Sequence, residues 1–196
     1  MLNRLVLATQ NAHKLAEVRA MLAPLGITVV GGAEVGLTDV PENGATFEEN
    51  ALIKARAGFE QTGIPMLADD SGLCITAMGG EPGIKSARFA SENGGYPAVF
   101  DVVQRLIGDS SDRSAYFCCC LALVTGEGEE HVFTGRVNGT IAQSPTGTHL
   151  FGYDPIFVPD GYDKSFGELD EKIKNSISHR ACAMKKLVDF FKEKSE

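Results

Sequence analysis

The chain has 196 residues, 43% hydrophobic and 22% charged, the balance of an ordinary globular protein and not of a disordered one. A formal net charge of −8 excludes a nucleic-acid partner bound through the average field, so any anionic ligand needs cations concentrated locally. The longest apolar run, Ala115 to Val124, is well short of the roughly 18 residues a membrane helix needs, so no membrane partner is expected.

Leu5 to Ala8 reads as a short strand that ends in the polar turn Thr9-Gln10-Asn11. Leu15, Val18, Met21, Leu22 and Leu25 then recur at helical spacing up to the stop at Gly26, and Ile27 to Val30 forms the next strand. This β-α-β opening favours an α/β fold with the C-terminal end of the first strand at a cleft. Leu37 to Ala45 reads as a loop, and Thr46 with Glu49 forms a capping box for a helix that buries Ala51, Leu52, Ala55 and Phe59. Met66 to Ala68 is a strand expected to end at Asp69-Asp70-Ser71-Gly72, followed by Leu73 to Thr76 and a glycine-rich stretch up to Phe89.

A helix with Val99, Val103 and Leu106 inward closes at Gly108. Tyr116 to Val124 is apolar at both alternating sets of positions, the mark of a central strand covered on both faces. After the turn Gly126-Glu127-Gly128-Glu129 comes a long strand from His131 to Ala142, with bends or bulges expected at Gly135 and Gly139. Pro155 to Val158 is a further strand, and Ser178 caps a last helix whose inner stripe is Met184, Leu187, Val188 and Phe191. The expected fold class is α/β: a mixed, elongated, twisted sheet in two lobes with flanking helices and a cleft between them. Residues 1–196 form one domain in this reading, the lobes sharing a core. The five cysteines, three of them consecutive, fit neither a disulfide framework nor a zinc spacing, so buried thiols in a cytoplasmic protein are expected. Arg4 is followed by no apolar stretch of the kind a secretion signal carries.

Neither G-x-x-x-x-G-K-[ST] nor G-x-G-x-x-G is present, so any phosphate apparatus is of another kind. Glu42 and the pair Asp69-Asp70 offer hard oxygen ligands suited to magnesium, although Asp before Ser-Gly is also a common Asx-turn. Lys14 opens the first helix, where backbone N–H groups attract phosphate, and Lys54 lies on the second; each alone would ordinarily be a solvated lysine. Lys174, His179 and Arg180 gather at the start of the last helix, where positive charge opposes the macrodipole and so slightly favours an anionic partner. Phe151-Gly152-Tyr153-Asp154 combines aromatic faces with a carboxylate, which suits a nucleobase and equally a buried aromatic turn.

Seven segments occur in one order: Thr9-x-Asn11-x-x-Lys14, Thr46-Phe47-x-x-Asn50-Ala51, Lys54-Ala55-Arg56, Ala68-Asp69-Asp70-Ser71-Gly72-Leu73, Gly83-Ile84-x-Ser86-Ala87-Arg88, Phe151-Gly152-Tyr153-Asp154-Pro155-Ile156-Phe157 and Lys174-Asn175-x-x-Ser178-His179-Arg180. From about Leu5 to the last helix the chain resembles the noncanonical purine nucleoside triphosphate pyrophosphatases, the family that includes inosine triphosphate pyrophosphatase. The resemblance implies a two-lobed α/β homodimer that uses Mg²⁺. Its substrates would be the small-molecule triphosphates ITP, dITP and XTP, hydrolysed to monophosphate and pyrophosphate to cleanse the nucleotide pool. By the same resemblance Asp70 is the general base, and Glu42 and Asp70 are the metal-side carboxylates. Thr9, Gln10, Asn11, Ala12, His13 and Lys14 form the phosphate-contacting segment, helped by Ser71 and Lys54. Phe151, Gly152, Tyr153, Asp154, Lys174, His179 and Arg180 supply the remaining nucleotide contacts. One departure is visible: Gln10 stands where the family usually has glycine, beside the bulk of His13, which leaves the loop geometry to be established. Two other readings stay open, a pyrophosphatase for pyrimidine or modified nucleotides and a sensor that binds triphosphate without cleaving it.

Overall fold

The structure, a computed structural model, describes residues 2–126 and 128–194, apart from the His13 side chain. The turn at Glu127 therefore lies outside the described residues. The fold is mixed α/β, a six-stranded sheet in the order β2-β1-β3-β4-β5-β6 with flanking helices. The strands are β1 (Arg4–Ala8), β2 (Thr28–Gly31), β3 (Met66–Ile75), β4 (Ser114–Gly126), β5 (Glu129–Ile141) and β6 (Phe157–Pro159). The helices are α1 (Ala12–Leu22), α2 (Phe47–Thr62), α3 (Ser86–Glu92), α4 (Ala98–Ile107), α5 (Glu171–Ile177) and α6 (His179–Glu193). Strand β1 runs parallel to both neighbours, with Leu5 opposite Val29 and Leu7 opposite Leu67, as the β-α-β reading requires. At the other end β5 and β6 are antiparallel, Thr140 facing Val158.

The chain divides into two compact units: Met1–Asp70 with Cys119–Gly135 and Cys182–Glu196, and Ser71–Cys118 with Arg136–Ala181. Each has its own core. In the first, Val18 and Leu22 of α1 and Met184, Leu187 and Phe191 of α6 pack with Leu5, Leu7, Leu67, Leu121 and Leu123. In the second, Val99, Phe100, Val103 and Ile107 of α4 pack with Leu73, Ile75, Phe117, Ile141 and Phe157. Leu106, expected to point inward, is 53% exposed, and Phe100 and Ile107 take the inner positions.

Two further expectations are corrected. Strand β3 does not stop at Ala68 but runs through Asp69, Asp70, Ser71 and Gly72 to Ile75, so neighbouring side chains alternate between its faces. Strand β5 is likewise unbroken at Gly135 and Gly139. Gly139 is there for close approach: a Cβ at that position would stand 2.2 Å from the Val158 carbonyl oxygen of β6.

Candidate active site

In the first unit the chemistry gathers at the C-terminal ends of β1 and around the middle of β3. The Thr9 hydroxyl accepts from the Asn11 N–H (3.1 Å), and the Asn11 side-chain oxygen caps α1 by accepting from the Lys14 N–H (3.2 Å). No acidic residue occupies the first turn of that helix, which leaves the positive end of its dipole unopposed. Among the described residues no non-glycine has positive φ, so Gln10 is accommodated with an ordinary backbone and its substitution for glycine imposes no left-handed strain. Gln10 and Ala12 are exposed, Thr9, Asn11 and Lys14 half-buried.

Because β3 continues through the acidic pair, Asp69 and Asp70 serve two separate sets. Asp69 accepts from the Lys14 ammonium through Oδ1 (2.7 Å) and from the Cys119 thiol through Oδ2 (3.6 Å). Asp70 Oδ1 accepts from the Lys54 ammonium (3.0 Å), which also donates to the Asp69 carbonyl (2.8 Å) and pairs with Glu42 Oε1 (3.1 Å). Asp70 Oδ2 is buried and has no hydrogen-bond partner at ordinary distance among the described residues. Burial pushes the Asp70 carboxyl above the usual carboxylate range; Lys54 opposes the shift, Glu42 adds to it, and Asn50 opposes it weakly. Burial works against charge on Lys54 as well, but Asp70 and then Glu42 outweigh it and hold the ammonium above the ordinary lysine value.

The loop that delivers Glu42 is fixed by the start of α2. Thr46 caps the helix by accepting from the Glu49 N–H (3.1 Å), and Glu49 reaches back to the Ala45 N–H (2.6 Å), one residue earlier than a standard capping box. Buried Asn50 accepts from the Gly44 N–H (2.8 Å), and a Cβ on Gly44 would lie 2.7 Å from Glu49 Cβ. Loop and helix are therefore held too close for any side chain at position 44. Asp69, read with Asp70 as a candidate metal carboxylate, is instead paired with Lys14, and Asn50, which the sequence reading left without a role, holds the Gly44 N–H; its presence in the ordered motifs was the available signal.

Glu42 and Asp70 supply hard carboxylate oxygens, one of them buried without a partner. That donor set fits Mg²⁺, which takes one or two carboxylates and completes its shell with water and substrate phosphate oxygens. Among the described residues there is no group of three or more His, Cys, Asp or Glu suited to hold a metal.

The second unit contains the other candidates. Ser71 is half-buried on β3. Gly152 and Phe151 are half-buried, and the Lys174 ammonium lies 5.1 Å from the Phe151 ring centroid. Lys174 also pairs with Asp154 Oδ2, at side-chain exposures of 12% and 4%. Tyr153 is buried with its hydroxyl donated to the Ser86 carbonyl (3.0 Å) and its ring edge-on to Tyr96 (centroids 5.1 Å). Its side chain thus supports the segment from behind, and burial together with Tyr96 raises its pKa far above the ordinary phenol. Ser178 caps α6 as expected, accepting from the Ala181 N–H (3.1 Å). His179 and Arg180 are both buried, and the His179 ring stacks on Phe117 at 4.7 Å and 12°.

The Ham1 family model matches residues 5–190. The dITP/XTP pyrophosphatase of Streptomyces avermitilis is 45% identical over 98% of both chains, and that of Streptomyces coelicolor 46% identical over the same shares. Among solved structures, a HAM1 protein from Coxiella burnetii superimposes with a TM-score of 0.88 at 42% identity, over 98% of this chain and 100% of the other. The Staphylococcus aureus Ham1 protein gives 0.89 at 36% identity, over 97% and 99%.

The buried Lys174–Asp154 pair and the exposed Arg19–Glu34 pair, whose side chains are 46% and 53% exposed, differ in what their loss should do. Lys174→Met leaves a buried carboxylate unmatched and should cost about 3 kcal/mol, with Lys174→Met/Asp154→Asn losing much less than the two single changes summed. Arg19→Met should cost under about 1 kcal/mol. Urea midpoints of the four variants check both expectations, and equal losses at the two pairs would contradict them.

Proposed function

The chain belongs to the Ham1 family, and on that premise we propose that it is a nucleoside triphosphate pyrophosphatase that hydrolyses dITP and XTP, and ITP with them, to monophosphate and pyrophosphate. Removal of deaminated purines from the nucleotide pool is the corresponding role. The observation that carries the reading is Asp70: a buried carboxylate with one oxygen held by Lys54 and the other, among the described residues, without a hydrogen-bond partner.

In this reading Glu42 and Asp70 would hold Mg²⁺, which, when bound, would neutralise phosphate charge and favour departure of pyrophosphate. Asp70 takes the proton from a water molecule as its oxygen attacks the α-phosphorus. The α–β anhydride bond breaks, the water oxygen stays on the monophosphate, and pyrophosphate leaves. Lys14 and the N-terminus of α1 neutralise the phosphates, Thr9 to His13 supplying the turn. Positioning and charge neutralisation carry most of such a phosphoryl transfer.

Phe151, Lys174, His179 and Arg180 are assigned to the nucleoside, with Gly152, Tyr153 and Asp154 shaping that segment. Hypoxanthine and xanthine present a carbonyl at C6 where adenine presents an amino group. Donors from Arg180 or the His179 region that pair with the carbonyl would face a second donor in adenine, and such a buried mismatch discriminates by about 10⁴ or more. A stacked Phe151 ring adds an interaction blind to the base, of order 1–3 kcal/mol. Against the sensor reading, a protein that only binds triphosphate gains little from Asp69, Asp70 and Glu42 beside it. Homodimer assembly and a cytoplasmic setting belong to the same reading; no helix among the described residues is long and apolar enough to cross a membrane. Sedimentation of the protein at its single-chain mass would remove the dimer.

Pyrophosphate release with Mg²⁺ should be strong for ITP, dITP and XTP, weak for ATP, GTP, dTTP and UTP, and lost on chelation. Asp70→Asn should lower kcat by about 10²–10⁴. Preference for a pyrimidine would overturn the substrate, and near-normal turnover by Asp70→Asn would remove the base.

A further inference from the structure

The Lys54 ammonium lies among three oxygens of the first unit. An ammonium has three protons, and three oxygens surround this one: Asp69 O at 2.8 Å, Asp70 Oδ1 at 3.0 Å and Glu42 Oε1 at 3.1 Å. Two of the three are the carboxylate oxygens assigned to the metal, and the remaining Asp70 oxygen is buried and unpartnered among the described residues. The Lys54 side chain is 15% exposed and Asp70 8%, so water screens that contact little, whereas Glu42, 41% exposed, is the solvent-facing partner.

We infer that Lys54 is a resident stand-in for the divalent cation, holding Glu42 and Asp70 together in the metal-free protein and giving up its place when the metal enters. The inference rests on the assignment of Glu42 and Asp70 as metal ligands and goes beyond it. The grounds are physical. Two carboxylates brought this close without a cation would repel, and Glu42, an exposed loop residue whose side chain is 41% accessible, would swing further into solvent. A divalent ion seeks the same hard oxygens, and a second cation within about 4 Å of it is strongly repelled in a partly desolvated site. With all three protons occupied, Lys54 has no donor to offer a phosphate until it leaves the carboxylates. Entry of the metal therefore releases a lysine, and a triphosphate that arrives with the metal supplies the anion that receives it. One residue then makes metal binding and nucleotide binding depend on each other.

The test separates two affinities. Magnesium is titrated calorimetrically into nucleotide-free protein, and a non-hydrolysable dITP analogue is titrated at saturating Mg²⁺. Lys54→Met should bind Mg²⁺ alone about tenfold more tightly than the unchanged protein, because the competing ammonium is gone. It should bind the analogue about tenfold more weakly, because the released cation is missing. A purely structural lysine would not move the two in opposite directions. Lys54→Gln, which keeps donors without charge, repeats the titration should Lys54→Met not fold. In the unchanged protein, the ¹⁵N resonance of the Lys54 ammonium should shift on addition of Mg²⁺, a reading that needs no variant. Equal or weaker Mg²⁺ binding by folded Lys54 variants, or an unmoved Lys54 resonance at saturating Mg²⁺, would overturn the stand-in while leaving the ligand assignment in place. Absence of any Mg²⁺ binding, with or without the analogue, in unchanged and variant protein alike would overturn both.

Discussion

A carboxylate taken out of water must be matched by a cation, and in this protein that requirement organises the candidate site. Asp70 is 6% exposed in the middle of a strand, and the Lys54 ammonium that matches it also ties down Glu42 and the Asp69 carbonyl. One position along the strand, Asp69 is matched by Lys14 from the first helix. Placement of α1 and α2 is thus coupled to β3 by charge as well as by apolar packing. The cost of burying these ions is several kcal/mol each before pairing, so the arrangement is poor economy for stability alone. It makes sense as a site prepared for a polyanion and its counter-ion, with positive groups already gathered in a chain of net charge −8.

The second unit follows the same rule with different chemistry. Lys174 and Asp154 match one another, and aromatic rings fill the space around them: Phe151 near the ammonium, Tyr153 and Tyr96 behind, Phe117 stacked on His179. In the proposed function these neighbours would restrict the rotamers of the polar groups that read the purine edge. Such rigidity is what discrimination between a carbonyl and an amino group needs, because a mobile donor could turn away from the mismatch.

Much of this was legible in the sequence where local rules and tertiary structure agree. Thr46 and Ser178 cap the helices they precede, the β1-turn-α1 segment forms as its periodicity indicates, and β4 lies between β3 and β5. The acidic pair shows where local rules fail. Asp-Asp-Ser-Gly is poor strand sequence, and on propensity alone it reads as a turn. Lys14 and Lys54, more than fifteen residues away in the case of Asp70 and fifty-five in the case of Asp69, satisfy the charges and let the strand continue. No local pattern reports such pairings. Leu106 failed for a smaller reason: α4 turns its apolar stripe by one residue, which places Phe100 and Ile107 inside. Sequence placed His179 and Arg180 as cations at the start of the last helix, and no local pattern reports that Phe117, distant in sequence, stacks on His179.

The proposed chemistry rests on attack of water at the α-phosphorus. Hydrolysis of dITP in ¹⁸O-enriched water, followed by mass spectrometry of both products after a single turnover, tests this most directly. The proposed chemistry places one ¹⁸O in the monophosphate and none in pyrophosphate. Label in pyrophosphate, or release of orthophosphate in its place, would mean attack at another phosphorus and would contradict it.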